Sequence, residues 1–570
     1  MELASTSPYA CHLCGHVVDE RTTEKIPSSS CNFEAFSKCN DSPSLLELGM
    51  FESERQHLAK LQASLDLEIA RLRTSLELIE EKRRQVGTSM WFCKSAQHPI
   101  RRLPNEILAE IFNFCVEGDV NIVEGSGKAD WQNDGPSTLD LDQTLWALSQ
   151  VCQRWRNLAL SSPKLWTAIN INWVVRKEKP EIDLMRRRLA LTLERSRDQP
   201  LYISWFEGYS LEPALLRLLG SCSARWKCAT IRASTVGFHL LALTTTSFTT
   251  LSRLRLYFEE DSDWLDEEEG TSEFSLWEDA PALTKVYLAS SSDIHPHLET
   301  LVPWEQIRDL TLVTNDSYDR DLIEWPDLHE ILPLAGNIHK CFIQSFSFDH
   351  DLSHIHSLSV PFTLAHLRSL KLIAASSPNS IAAFLDSVTL PALTVLQAFP
   401  LEADGIQSTV TRFLSRSACT LVTLGLMGIN DGTLIELLNL REIQGVRELL
   451  ISGPRDPDTG HDRSVSDDVV TLLRRANTTP DPLQPNRVPE VLFPGLKKIY
   501  FAGLRRWTER TLVDMVASRR AHLNPDACLG RVTLMEVGDF VFEDETAVGA
   551  MKELIAGGLV LRESKGKAIL

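Results

Sequence analysis

The apolar residues of this chain fall into three successive patterns. From 51 to 86 they recur every seven residues, at Phe51, Leu58, Leu65, Leu72, Ile79 and Val86. The companion positions, four later, are Gln62, Ile69, Leu76 and Arg83, and neither Gly nor Pro interrupts the run. This partial heptad predicts one long amphipathic helix whose seam is weakened by Gln62 and Arg83. Two readings stay open for it: a coiled coil with a second copy, or a helix folded against its own chain. Between 104 and 158 the spacing is that of shorter helices. Pro104 suits a helix start, where a missing N–H is not needed, and Glu106 suits the positive helix end. Ile107, Leu108, Ile111, Phe112 and Cys115 form one apolar stripe. Leu145, Leu148, Val151, Cys152, Trp155 and Leu158 form a stripe on one second helix, which Ser161-Ser162-Pro163 stops. Leu165-Trp166 restarts an apolar run. Residues 117–142, acidic and Gly-containing, lie between the two helices and read as an exposed loop.

The third pattern is a repeat. An apolar triad spaced i, i+3, i+5 occurs at Leu251-Leu254-Leu256, Leu283-Val286-Leu288, Ile307-Leu310-Leu312, Ile338-Cys341-Ile343 and Leu367-Leu370-Leu372. It continues at Leu393-Leu396-Ala398, Leu421-Leu424-Leu426, Val446-Leu449-Ile451, Leu496-Ile499-Phe501 and Leu529-Val532-Leu534, with Trp226-Ala229-Ile231 as an earlier, degraded copy. Successive copies are 24 to 33 residues apart, with one interval of 50. Evenly spaced short strands of this kind predict a solenoid, each strand burying its apolar side chains against the next unit. Ile381–Leu385, Val410–Leu414 and Thr511–Val516 have the pattern of helical return segments. Two stretches interrupt the array. Residues 259–279 carry eleven acidic side chains and no Lys or Arg, which reads as a solvated loop. Residues 454–490 are rich in Pro and Asp and account for the long interval.

The residues between 100 and 166 also carry a motif. Leu103-Pro104-x-Glu106-Ile107-Leu108, then Val151-Cys152-x-x-Trp155-Arg156, then Pro163-x-Leu165-Trp166 resembles the F-box, a small all-α module. The triads resemble leucine-rich repeats, and the copy at 307 has Asn315 where that family places its loop-capping Asn. The arrangement as a whole resembles the F-box proteins of mushroom-forming (basidiomycete) fungi, with C-terminal leucine-rich repeats. The fold class expected is α/β: an N-terminal amphipathic or coiled-coil helix, a small all-α F-box, then an irregular leucine-rich-repeat solenoid with a parallel β-sheet. The segments expected are a flexible 1–44, a heptad helix at 45–92 and an F-box at 99–169 with the insertion 117–142. A transition at 170–225, a solenoid at 226–562 and a tail at 563–570 follow. The resemblance implies a non-catalytic substrate-recognition subunit of a Skp–cullin–F-box ubiquitin ligase. A Skp-type adaptor, and through it a cullin, would be gripped by Leu103, Pro104, Glu106, Ile107, Leu108, Ile111, Phe112, Val151, Cys152, Trp155, Leu158 and Trp166. The repeats would hold an unknown target protein. The insertion departs from the family's compact form and favours an alternative, a leucine-rich-repeat scaffold acting outside ubiquitin transfer.

Composition narrows the rest. The 570 residues exceed one ordinary core and the 43% apolar fraction is ample for burial. With 58 basic and 77 acidic residues the net charge is −19, which argues against a general nucleic-acid binder. Twelve scattered cysteines suit a reducing compartment. No signal peptide and no apolar run of membrane-spanning length is visible, so a cytoplasmic or nuclear protein is expected. Chemistry is sparse. Cys11-x-x-Cys14 with His12, His16, Cys31 and Cys39 is a loose metal spacing that reads mainly as free thiols. Gly125-Ser126-Gly127-Lys128-Ala129 lacks the leading Gly and the Ser/Thr of a phosphate loop. The histidines at 295, 297, 350, 354 and 356 have no ligand partners in metal spacing. No nucleophile, cofactor or metal constellation is expected. Residues 497–531 hold eight basic side chains against three acidic ones, either a basic surface for an acidic target or the polar outer side of the last repeats.

Overall fold

The structure, a computed structural model, describes residues 38, 41–124, 137–140, 143–172, 182–207, 212–258, 275–290, 298–314, 323–347, 361–374, 379–401, 405–456, 462–475, 491–521, 528–535 and 544–563. Cys11, Cys14, Cys31, Cys39, the segment Gly125–Ala129, Asn315 and the five histidines of 295–356 named above lie outside these residues. The chain divides into two units, residues 1–104 and 105–570.

In the first unit the heptad pattern becomes α1, Leu45–Gln97, a helix of 53 residues that overruns the expected 45–92. Ser44 starts it: its hydroxyl accepts from the Glu47 N–H, and the Glu47 carboxylate accepts from the Ser44 N–H, a reciprocal cap. No residue of α1 is buried. Leu65, Ile69, Leu72, Leu76 and Ile79 remain 37 to 56% exposed.

The second unit begins with α2, Asn105–Glu124, one residue after Pro104. Here the expected loop needs correction, because residues 117–124 continue the helix. Its other end is also fixed. The Thr138 N–H donates to Asn170 O, Ser137 Oγ donates to the same carbonyl, and Leu139 is fully buried. The expected single second helix is a further correction. It is two helices, α3 Thr144–Val151 and α4 Gln153–Ser161, separated by the extended residue Cys152 (φ −161°, ψ 168°). Val and Cys are weak helix formers, so the break falls where helix propensity is low. One non-helical residue turns the later apolar positions to a different face, and Val151 and Cys152 end up exposed. A short 3₁₀ turn, Pro163–Trp166, leads into the sheet.

The remainder is a parallel sheet that counts fifteen strands among the described residues. Its main path runs β1 Ala168–Asn172, β2 Leu201–Phe206, β3 Trp226–Ala233, β4 Arg253–Phe258, β5 Lys285–Ser290, β6 Asp309–Thr314, β7 Lys340–Ser347 and β8 Ser369–Ala374. It continues with β9 Val395–Phe399, β10 Thr423–Leu426, β11 Glu448–Ile451, β12 Lys498–Ala502, β13 Arg531–Met535 and β14 Val560–Glu563. Each strand pairs with the next in this order, as a solenoid requires. The middle residue of each triad stacks in register: Leu254, Val286, Leu310, Cys341, Leu370, Leu396, Leu424, Leu449, Ile499 and Val532 are successive partners. All are 3% exposed or less, in one continuous core. The three anticipated return segments are helices, at Ser380–Ser387, Ile406–Ser417 and Glu509–Arg520, and Phe384, Leu385, Val410, Phe413, Leu512 and Val516 join the same core.

Three boundaries shift. The sheet starts at β1, which straddles the expected end of the F-box at 169, and β2 lies inside the stretch expected to be a transition. Trp277, at the end of the acidic interruption, is fully buried with its ring against Phe238 and Phe248, so that part is not a solvated loop. The long interval contains a strand at Arg463–Ser466 and a helix at Asp467–Leu472 that buries Val469 and Val470.

Candidate functional site

The helices of residues 105–172 close around their own aromatic core. Phe112 and Val116 of α2, Leu145 and Trp146 of α3, Ala159 of α4, and Leu165 and Trp166 are buried together, with Leu148, Trp155 and Leu158 partly buried against them. The Phe112 and Trp155 rings meet edge-on at 4.9 Å, and those of Trp146 and Trp166 at 5.3 Å. The indole N–H groups of this second pair are satisfied: Trp166 donates to Ala159 O (2.9 Å) and Trp146 to Thr138 O (3.0 Å).

This core is joined to the sheet rather than tethered to it. Arg195, near the end of the helix Ile182–Ser196, places its guanidinium 4.4 Å from the Trp166 ring and 5.2 Å from the Trp146 ring. Partial burial lowers its pKa, and the neighbouring Glu194 opposes that shift. About two turns earlier on the same helix, Arg188 donates to Leu139 O at 3.0 Å. The backbone of α2 lies against β1, β2 and β3, and β1 is buried at every residue.

The surface is defined by what this core leaves out. Asn105 Oδ1 accepts from Arg154 Nε at 3.0 Å, which brings the first turn of α2 beside the Val151–Gln153 break. Ile107 (48% exposed) and Val151 (60%) are apolar and open to solvent there, with Glu106 and Cys152 also exposed. Leu103 is half-buried and Pro104 exposed. Leu108, Phe112 and Trp166, three of the expected adaptor contacts, are fully enclosed in the chain's own core. Ile111, Trp155 and Leu158 are half-buried. Phe114 on α2 is 71% exposed and lies outside the apolar stripe.

Residues 100–172 match an F-box-like family model. The matched stretch covers the start of α2 through β1, so the F-box-like segment ends inside the sheet. No curated protein matches the chain. Among the described residues, no helix is long and apolar enough to cross a membrane, and no group of three or more His, Cys, Asp or Glu could hold a metal ion.

The basic stretch at 497–531 resolves largely into structure. Arg519 is 4% exposed and donates to three carbonyls, Leu473 O (2.6 Å), Leu492 O (2.8 Å) and Phe493 O (3.0 Å). Burial, and secondarily Arg475, lowers its pKa to about 10. Lys498 pairs with Glu448 at 2.6 Å, Arg505 with Glu509 at 3.0 Å, and Arg520 donates to Leu529 O and Gly557 O.

Proposed function

We propose that this chain is the substrate-recognition subunit of a Skp–cullin–F-box ubiquitin ligase. The F-box-like segment docks a Skp-type adaptor through Leu103, Pro104, Glu106, Ile107, Val151 and Cys152, with Leu108, Ile111, Phe112, Trp155, Leu158 and Trp166 shaping that surface from behind. The parallel-stranded array is a leucine-rich-repeat solenoid that holds the target protein. The observation that carries the reading is the F-box-like match at 100–172 fused to a long repeat sheet, one module for the ligase and one for the target. The mechanism is proximity. The target's lysines are held at high local concentration while other subunits supply the thioester chemistry. Helix α1, long and without a buried residue, pairs with a second copy through Leu65, Ile69, Leu72, Leu76 and Ile79.

Co-purification with the adaptor and cullin tests the reading. The native chain is expected to bring down both. Leu103→Ala/Pro104→Ala and Ile107→Asp/Val151→Asp are each expected to lose both while folding normally. Capture that is absent from the native chain, or unchanged in the variants, would leave the alternative of a repeat scaffold outside ubiquitin transfer.

A further inference from the structure

On the side of the sheet away from the helices, strands β4 to β8 present three registered rows. The first is Arg253, Lys285, Asp309, Lys340 and Ser369. The second is Arg255, Tyr287, Thr311, Phe342 and Lys371. The third is Tyr257, Ala289, Val313, Gln344 and Ile373. The rows grade from charged, through aromatic, to apolar. Lys285 and Lys340 are exposed, and they flank Asp309, the one carboxylate in the three rows. Lys371 stands 4.6 Å over the Phe342 ring and Arg255 5.7 Å over the Tyr287 ring, while the Tyr257 and Tyr287 rings approach to 5.3 Å. The lysines alone outnumber Asp309 three to one, in a protein whose net charge is −19.

The patch has edges. Toward the start of the sheet, β1 and β2 are covered on both faces, with the backbone of α2 against them. Toward its end, the equivalent positions of β9 to β11 are Val395, Gln397, Phe399, Thr423, Gly425, Glu448 and Leu450. None of these is a cation, and Glu448 is held by Lys498. Five strands at about 4.8 Å spacing make a patch roughly 19 Å across, the span of about six extended residues.

We propose that this β4–β8 face is the docking surface for a partner, and that its occupant is an acidic polypeptide segment that also carries aromatic or aliphatic side chains. Carboxylates meet the first row, and the apolar side chains lie on the half-buried rings of Tyr287, Phe342 and Tyr257. Lys371 fits this use, since burial lowers its pKa and an arriving carboxylate would offset that desolvation. A nucleic acid would supply negative charge but no aliphatic side chains for these rings, and the rest of the acidic chain would repel it. The proposal rests on the reading of the sheet as the target-holding half of the protein. It replaces the basic stretch at 497–531 as the place where an acidic target is received.

The probe is a fluorescein-labelled synthetic peptide of Glu and Phe interspersed with Ser, titrated with the full chain by fluorescence anisotropy. Comparison peptides carry Lys for Glu, or Ser for Phe. The Glu/Phe peptide is expected to bind, to weaken steeply with added salt, and to lose about tenfold or more in affinity toward Lys285→Glu/Lys340→Glu. Both lysines are exposed, so the fold is expected to survive, as thermal melting will report. Lys371→Met is expected to weaken binding without a charge reversal. The same charge change made elsewhere, Lys497→Glu/Arg510→Glu, is expected to leave affinity unchanged. No binding by the native chain, equal binding of the Lys peptide, an equal loss in the control variant, or tighter binding of a single-stranded oligonucleotide would each overturn the proposal. Adaptor capture by the same variants separates the two readings. Failed capture with intact peptide binding removes the ligase role and leaves this surface standing, whereas the reverse removes the surface alone.

Discussion

Phe112 is enclosed by Trp155 and the rest of the aromatic core, whereas Ile107, five residues earlier on the same helix, keeps 48% of its surface in water. Truncating the first creates a cavity among rings that cannot collapse, so Phe112→Ala is expected to cost about 3–5 kcal/mol and to lower the melting temperature clearly. Ile107→Asp exchanges one exposed side chain for another and is expected to shift stability by about 0.5 kcal/mol or less, while adaptor capture is lost. A parallel fall in both properties for both variants would contradict this division. Periodicity made both residues legible as one stripe, but a helical stripe wider than its partner leaves its margin exposed, and only packing says which margin. At Tyr257 and Tyr287 a different measurement applies. Burial raises both phenol pKa values above the usual value of about 10. The folded state therefore keeps these protons after the unfolded chain has lost them, so this contribution is present at neutral pH and is lost as pH rises past the ordinary tyrosine value. Tyr257→Phe/Tyr287→Phe is expected to flatten the alkaline decline in denaturation midpoint relative to the native chain.

At the scale of elements, Arg519 explains how a Pro- and Asp-rich interval can sit within an ordered array. Its three backbone acceptors at Leu473, Leu492 and Phe493 belong to both ends of the stretch 476–490, so one side chain on the helix Glu509–Arg520 fixes where that stretch leaves and returns. Removing it orphans buried carbonyls, and Arg519→Ala is expected to destabilise by about 3–5 kcal/mol. Arg519→Lys is not expected to rescue, because an ammonium cannot reproduce the planar fork that reaches three carbonyls. The strands were the most legible elements, because the i, i+3, i+5 triad records burial directly. The helix Asp467–Leu472 was less so, since Val469-Val470 is too short a run to rise above its polar setting. The Cys152 break was illegible, because both half-helices keep an uninterrupted apolar phase across it. Helix α1 was read correctly as a helix from its heptads, yet its five central apolar positions stay exposed. Pairing with a second copy would bury them, and sedimentation equilibrium is expected to give a dimer that Leu65→Lys/Leu72→Lys reduces to a monomer at the same concentration. A native chain that is monomeric throughout would dispose of the pairing.

For residues 105–570 taken whole, the consequential feature is where the F-box-like match stops. It ends at Asn172, the last residue of β1, and β1 is buried at all five positions. Those positions are covered by later parts of the chain. β2 pairs along the full length of β1, Leu139 reaches into the core of the sheet, and Arg188 and Arg195 bind Leu139 O and the two indoles. A fragment ending at 172 would expose Ile169, Ile171, Leu139 and one flank of Trp146 and Trp166. It would also leave a bare parallel edge, which pairs readily with other chains. One added strand does not repair this, because solenoid strands are stable only with neighbours on both sides over several units. A fragment ending at 172 is therefore expected to aggregate or to show weak, non-cooperative melting by circular dichroism. A fragment ending at 258, which adds β2, β3, β4 and both arginines, is expected to be soluble and to melt cooperatively. Arg195→Ala in the full chain is expected to weaken the junction without opening either core, with faster amide exchange confined to α3, the Pro163–Trp166 turn and β1. Exchange spread evenly along the sheet would mean that the two halves are coupled by something other than this clamp. A fragment ending at 172 that melts as sharply as the longer one would mean that the F-box-like segment is an independent module.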